Sequence, residues 1–172
     1  MIEADSVTDS QQPLHRVLVV DDDEIVRRSL IEFLRAEHLH AIGVPDVQAA
    51  LESLDAAAKK GEVFDLVLTD VAMPERDGRE LLREMSRRHP STAVVMLTAY
   101  GTIEAAVDAL RLGAVDFLTK PVLDDELRLA VERGLRHRAL LAENEHLHRQ
   151  LEARDGLDGV LGHEPGKLRE RD

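Results

Sequence analysis

Five short apolar runs, each followed by a helical pattern of apolar residues, recur along this chain of 172 residues, and that alternation restricts the fold more than any other feature. They predict strands near 16–20, 39–43, 65–69, 92–97 and 115–118, and helices near 24–37, 47–60, 77–88, 102–112 and from 123 onward. Val17-Leu18-Val19-Val20 and Ala93-Val94-Val95-Met96-Leu97 are apolar throughout rather than alternating, as strands covered by helices on both faces are. Leu39-His40-Ala41-Ile42-Gly43 is less apolar and suits an edge. Asp46, Asp77 and Thr102 stand at helix starts, where a side-chain oxygen accepts an orphan N–H, and Gly61, Pro90, Gly101 and Gly113 mark junctions with the strands. The expected fold is α/β, a doubly wound five-stranded parallel sheet over residues 14–135, preceded by a disordered tail over 1–13.

Four of the runs end in acidic or polar residues: VLVVDDDE (17–24), LVLTD (66–70), VVMLTA (94–99) and DFLTKP (116–121). In a parallel sheet the carboxyl ends of the strands share one edge, so Asp21, Asp22, Asp70, Thr98 and Lys120 are expected to meet there. Carboxylates packed together repel unless a cation is shared among them. Asp21, Asp22 and Asp70 therefore imply a divalent ion, and oxygen-only ligation suits Mg²⁺. Such an ion neutralises a phosphoryl group attacked by one of the carboxylates, while a lysine and a hydroxyl bind the remaining phosphoryl oxygens. Asp70, alone at its strand end, is the best nucleophile. The loop after it, VAMPERDG, offers the Ala72 backbone carbonyl to the metal. Lys120 precedes Pro121, and a bond that must aim the lysine inward is expected to be cis, since X-Pro favours trans by only about 0.5–1 kcal/mol.

Composition removes several other classes. The chain has no cysteine, hence no disulfide, thiolate nucleophile or cysteine zinc site. Acidic residues number 34 against 22 basic, a net charge of -12, and no basic cluster stands out, so direct nucleic-acid binding is not expected. The opening MIEADSVTDSQQP is acidic and polar, unlike a secretory signal, and no run approaches the ~18 apolar residues of a membrane helix. A soluble cytoplasmic protein with no membrane partner is the expectation. The eight histidines show no ligand spacing, and His15, His38, His40, His89, His137, His146 and His148 are taken as solvated.

The last helical pattern runs from Leu123 to Arg154 with only Gly134 interrupting it, about 48 Å at 1.5 Å per residue, so its distal half is expected to leave the globule. Within residues 136–154, Leu140, Asn144, Leu147 and Leu151 recur at intervals of four, three and four. That is the seam of a short parallel coiled coil with a polar core position, predicting a homodimer, with Gly134 as a flexible joint. Residues 155–172, rich in Gly and charge, read as a flexible tail or the start of an output domain.

With these residues in view, the chain resembles a bacterial response-regulator receiver domain over about residues 15–135. The resemblance implies that Asp70 is the phosphoacceptor, Asp21 and Asp22 the acidic pair, Thr98 the hydroxyl switch and Lys120 the phosphate-binding lysine. Phe117 falls on the aromatic switch position. It further implies a sensor histidine kinase as donor, and a two-state shift on the surface formed by the fourth helix, fifth strand and fifth helix. TAYGTIEAAVDALRLGAVDFLTKP, followed by ALLAENEHLHRQLE, is most similar to the receivers and linkers of sigma-54-dependent activators of the nitrogen-regulation type, which points to transcriptional output. Those activators continue into an AAA+ ATPase. This chain holds no G-x-x-x-x-G-K-S/T phosphate loop, although LDGVLGHEP resembles the entry to that domain.

Other readings compete. Alone, Asp21 and Asp22 read equally as a solvated loop, Thr98 as a turn hydroxyl, Lys120 as a surface lysine and Phe117 as core, whereas Asp23 reads as a helix cap. A receiver fused differently, or standing alone and acting by protein–protein contact, fits the same residues. A haloacid-dehalogenase-type phosphatase would use Asp21 and Asp23 as its D-x-D, but would leave Asp70 unexplained. A coiled-coil dimeriser with a vestigial acidic pocket is the remaining alternative.

Overall fold

The computed structural model describes residues 14–160. Five strands, β1 (Arg16–Val20), β2 (His40–Val44), β3 (Leu66–Asp70), β4 (Ala93–Thr98) and β5 (Asp116–Thr119), alternate with helices α1 (Glu24–Ala36), α2 (Val47–Lys59), α3 (Gly78–Arg88), α4 (Ile103–Arg111) and α5 (Asp124–Val160). All strand pairs are parallel, in the order β2-β1-β3-β4-β5. The doubly wound sheet expected from the periodicity is present, with β2 at an edge.

The continuous apolar runs explain both layers. Successive strand residues point to opposite faces, so Leu18, Val20, Val67, Val94 and Met96 pack with α2, α3 and Ala109 of α4. Val17, Val19, Leu66, Leu68, Val95 and Leu97 pack instead with Leu30 and Leu34 of α1 and with Leu127, Ala130 and Val131 of α5. The helices start where their caps were expected: Asp46 accepts from Ala49 N–H, Asp77 from Arg79 and Glu80, and Thr102 from Ala105. Asp23 caps α1, its Oδ1 accepting from Ile25 and Val26 N–H.

Each strand after β1 lies one residue later than its apolar run suggests. Leu39 N–H still bonds back to Leu34 C=O in the turn that ends α1, while the polar Asp70, Thr98 and Thr119 extend the pairing. Helix α5 likewise runs on to Val160 rather than ending at Arg154. Glycine weakens a helix by only about 1 kcal/mol, so Gly156 and Gly159 do not stop it. His89 is not solvated: its Nε2 is 2.8 Å from Asp55 Oδ1 and its side chain is 13% exposed. The ends of α2 and α3 lie side by side there, a pairing that no local pattern announces.

The described residues divide into two units, one ending at Arg138 and the other beginning at Ala139. In the second, Leu140, Asn144, Leu147 and Leu151 are all exposed. Of the sequence expectations, the tail over 1–13 and the stretch 161–172 lie outside the described residues.

Gly134 is no flexible joint. It is buried in an unbroken helix, and a Cβ there would stand 2.6 Å from Leu66 Cδ1, itself fully buried. The glycine allows α5 to approach β3. Gly134→Ala gains about 1 kcal/mol of helix propensity, but overpacking a filled core costs about 1–3 kcal/mol. The net expectation is destabilisation by about 1 kcal/mol in denaturant unfolding. A hinge would give stabilisation instead, so the sign of the change decides between them.

Candidate functional site at the carboxyl edge of the sheet

Strand order reverses between β1 and β3, and the crevice beyond their carboxyl ends is where ligands bind in open α/β sheets. Asp21 directly follows β1 and Asp70 ends β3, while Thr98 ends β4 and Lys120 follows β5. In the β3–β4 register Asp70 pairs with Leu97, which sets Thr98 one step beyond it, and Lys120 N–H donates to Thr98 C=O at 2.7 Å. The Lys120–Pro121 bond is cis, as expected. All five predicted strand-end residues are thus brought to one edge.

Asp21 is 1% exposed and fully engaged. Its Oδ1 accepts from Asp23 N–H at 2.9 Å and its Oδ2 from Lys120 Nζ at 2.9 Å. The same ammonium lies 3.4 Å from Asp70 Oδ2. Burial pushes the Asp70 carboxyl above its usual range; Lys120 opposes this and Asp21 adds to it. Burial alone would lower the Lys120 ammonium, but its hydrogen bond and ion pair with Asp21, joined by Asp70, raise it instead. Two acids and one lysine therefore form a site with surplus negative charge, and Asp22, exposed beside them, adds to it.

One carboxylate oxygen from each of Asp21, Asp22 and Asp70 lies within 4.8 Å of the others. Three hard oxygen donors fit a hard divalent cation that keeps part of its water shell. Thr98 is buried, and its hydroxyl accepts from Tyr100 N–H at 3.0 Å. A cavity of about 210 Å³ adjoins it, walled by Ala72, Met96, Ala105, Ala109 and the half-buried Phe117.

Two glycines carry steric duties that the sequence reading does not give them, Gly78 having no reading there and Gly101 only that of a junction. A Cβ on Gly78 would stand 2.3 Å from the Asp70 carbonyl oxygen, so only glycine lets α3 start against the site. A Cβ on Gly101 would stand 2.1 Å from Thr119 Oγ1, where the loop after Thr98 crosses β5. The D-G dipeptide closing VAMPERDG was the one available signal. Asp23 gives its Oδ1 to the cap of α1, and the acidic group forms from Asp21, Asp22 and Asp70 without it.

The model of the response regulator receiver domain family matches residues 17–132. Regulatory protein AtoC of Escherichia coli K12 is 34% identical over 90% of this chain and 32% of its own length. Transcriptional regulatory protein FixJ of Bradyrhizobium diazoefficiens is 36% identical over 80% of this chain and 65% of its own. The chain thus spans about a third to two thirds of these relatives. The crystal structure of NtrX from Brucella abortus superposes with a TM-score of 0.68 at 34% identity, covering 81% of this chain and 30% of that one. No helix among the described residues is long and apolar enough to cross a membrane. With the family's pattern running from β1 into α5 over a sheet that brings its acids and lysine together, this chain belongs to the response regulator receiver domains.

Proposed function

We propose that Asp70 accepts a phosphoryl group from the phosphohistidine of a sensor histidine kinase, or from a small acyl phosphate, and that the phosphate then resets the α4–β5–α5 side of the domain. The observation that carries this reading is the convergence of Asp21, Asp22, Asp70 and Lys120 on one strand-end edge. An Asp70 oxygen attacks phosphorus in line, and the P–N or acyl P–O bond breaks as imidazole or carboxylate leaves. Asp21, Asp22, Asp70 and the Ala72 carbonyl would hold Mg²⁺, which supplies charge neutralisation on the phosphoryl oxygens. Lys120, already 3.4 Å from Asp70, pairs with one of those oxygens. The Thr98 hydroxyl leaves Tyr100 N–H to bind another, and Phe117 turns into the adjoining cavity. The chain is a phosphoacceptor rather than a turnover enzyme.

Exposed Asp22 caps and packs nothing, so Asp22→Ala should leave the melting temperature in chelator unchanged while cutting Mg²⁺-dependent labelling by acetyl phosphate on the order of tenfold or more. A wild-type chain that takes up no label, or an Asp22→Ala chain that labels at the wild-type rate, refutes the assignment.

The output we propose is transcriptional, as the names of the relatives suggest, reached through a homodimer paired along Leu140, Asn144, Leu147 and Leu151. Leu140, Leu147 and Leu151 are 58%, 47% and 52% exposed at the spacing of a two-stranded seam. About two heptads is near the limit for an independent coiled coil, so one charge in the seam should suffice to break it. Leu147→Glu is expected to convert a dimer into a monomer in sedimentation at matched concentrations, with labelling of Asp70 intact. A monomeric wild-type chain, or an unaffected dimer in the variant, defeats this part of the reading.

A further inference from the structure

The geometry points to Arg27 as a positioning residue that aims the acidic pair, a role that rests on the proposed Mg²⁺ and phosphoryl chemistry of that pair. Arg27 lies in the first turns of α1, and its Nη1 donates to the Asp21 carbonyl oxygen at 2.7 Å. Every other polar group of Asp21 is already held: its N–H by Val44 C=O at 3.2 Å, its Oδ1 by Asp23 N–H and its Oδ2 by Lys120. The carbonyl is the one group that faces onward to Asp22. Because a peptide unit is planar, fixing the Asp21 carbonyl fixes the nitrogen and Cα of Asp22 as well. That matters for Asp22 in particular, since its exposed carboxylate has no hydrogen-bond partner among the described residues. Its aim into the cluster is set by its backbone, and Arg27 holds that backbone.

The room for this contact comes from β2. Gly43 lies beside the Arg27 stem, and a Cβ there would stand 2.9 Å from Arg27 Cγ and 2.6 Å from Ile31 Cδ1. A methyl group at residue 43 would push the stem aside without touching the acids. Arg27 can therefore be disturbed in two independent ways, by shortening it and by displacing it.

Charge and position make opposite predictions. As a bare positive charge beside three carboxylates, Arg27 would repel a divalent ion, and its loss would tighten binding. As an anchor of the Asp21–Asp22 peptide, its loss should weaken binding by about tenfold, the lower end of what outer-sphere partners of metal ligands contribute. Titration calorimetry with MgCl₂ on the full chain reads the difference, alongside thermal melts in EDTA that report the fold without metal. Arg27→Ala is expected to bind Mg²⁺ about tenfold more weakly, Arg27→Lys to recover part of the loss, and Gly43→Ala to weaken binding in the same direction. Unchanged or tighter binding in Arg27→Ala overturns the role, as does a loss that tracks only a lowered melting temperature and is absent in Gly43→Ala. A wild-type chain that binds no Mg²⁺ overturns instead the metal reading on which the role rests; where the wild type binds, loss of binding in Asp22→Ala shows that the titrated ion sits at the acidic group.

Discussion

Asp70→Asn is expected to abolish labelling by acetyl phosphate and, in a chelator at pH 7, to raise the melting temperature of the same chain. The first effect follows from removing the attacking oxygen, since an amide is not a nucleophile towards phosphorus. The second follows from the state of the carboxyl group. Burial holds the Asp70 carboxyl above its usual range, and the nearby Asp21 carboxylate adds to the rise against the pull of Lys120. A group whose folded-state pKa is raised contributes stability that is fully present below its unfolded value and is lost as pH rises through the folded value. That contribution falls away as pH rises above the ordinary carboxylate value, because the buried site disfavours the charge that the unfolded chain carries freely. Asn carries no such charge, so the variant should melt higher at pH 7, and the difference should close on acidification to about pH 4, near the ordinary carboxylate value. Adding Mg²⁺ should reverse the order, stabilising the wild type more. Equal labelling of the variant, or a lower melting temperature at pH 7 in chelator, contradicts the placement of Asp70.

Much of this fold was legible because burial writes itself into composition. The unbroken apolar runs of β1 and β4 required cover on both faces, and both core layers are there; that α1 and α5 share one of them is seen only in the structure. Strand limits were less visible, because pairing is decided by backbone register and not by hydropathy: Thr98 and Thr119 pair although they are polar. Gly134 was misread for a related reason. A glycine in a helix signals flexibility or close approach equally well, and only the distance to Leu66 tells which.

The site was legible in another way. Asp21, Asp70, Thr98 and Lys120 each follow or end an apolar run, and parallel topology alone carries them to one edge. Arg27, Gly43 and Gly78 left no such trace, and Gly101 showed only as a junction. Their work is steric or through the backbone, and it depends on which element crosses which, information that lies between segments rather than in any one of them. His89 and Asp55 show the same limit at the opposite end of α3: two unremarkable surface residues become a 2.8 Å contact only once two helices are laid side by side.

Lys120→Met is expected to lower both phosphoryl uptake and stability. Its ammonium is the cation that holds Asp21 at 2.9 Å and Asp70 at 3.4 Å, and Asp21 is almost completely buried. Breaking a buried ion pair by deleting one partner costs about 3–5 kcal/mol; Lys120 keeps 20% of its side chain in solvent, so about 2 kcal/mol is the expectation in chelator at pH 7. Acetyl phosphate labelling should slow on the order of 100-fold, as when one donor to a developing anion is removed. The pH dependence has a definite sign. Asp21 and Asp70 outweigh burial and raise the Lys120 pKa, so its stabilisation is fully present up to the ordinary lysine value of about 10.4 and is lost only as pH rises through the higher folded value. The gap between wild type and variant should hold between pH 7 and 9 and narrow only at more alkaline pH. In an Asp70→Asn background the Lys120→Met cost should shrink but persist, because the closer partner, Asp21, remains unpaired. Denaturant unfolding of the four chains measures that coupling: full additivity would show that Lys120 and Asp70 do not interact, and a gap already closing below pH 9 would show that Lys120 is not held by the acids.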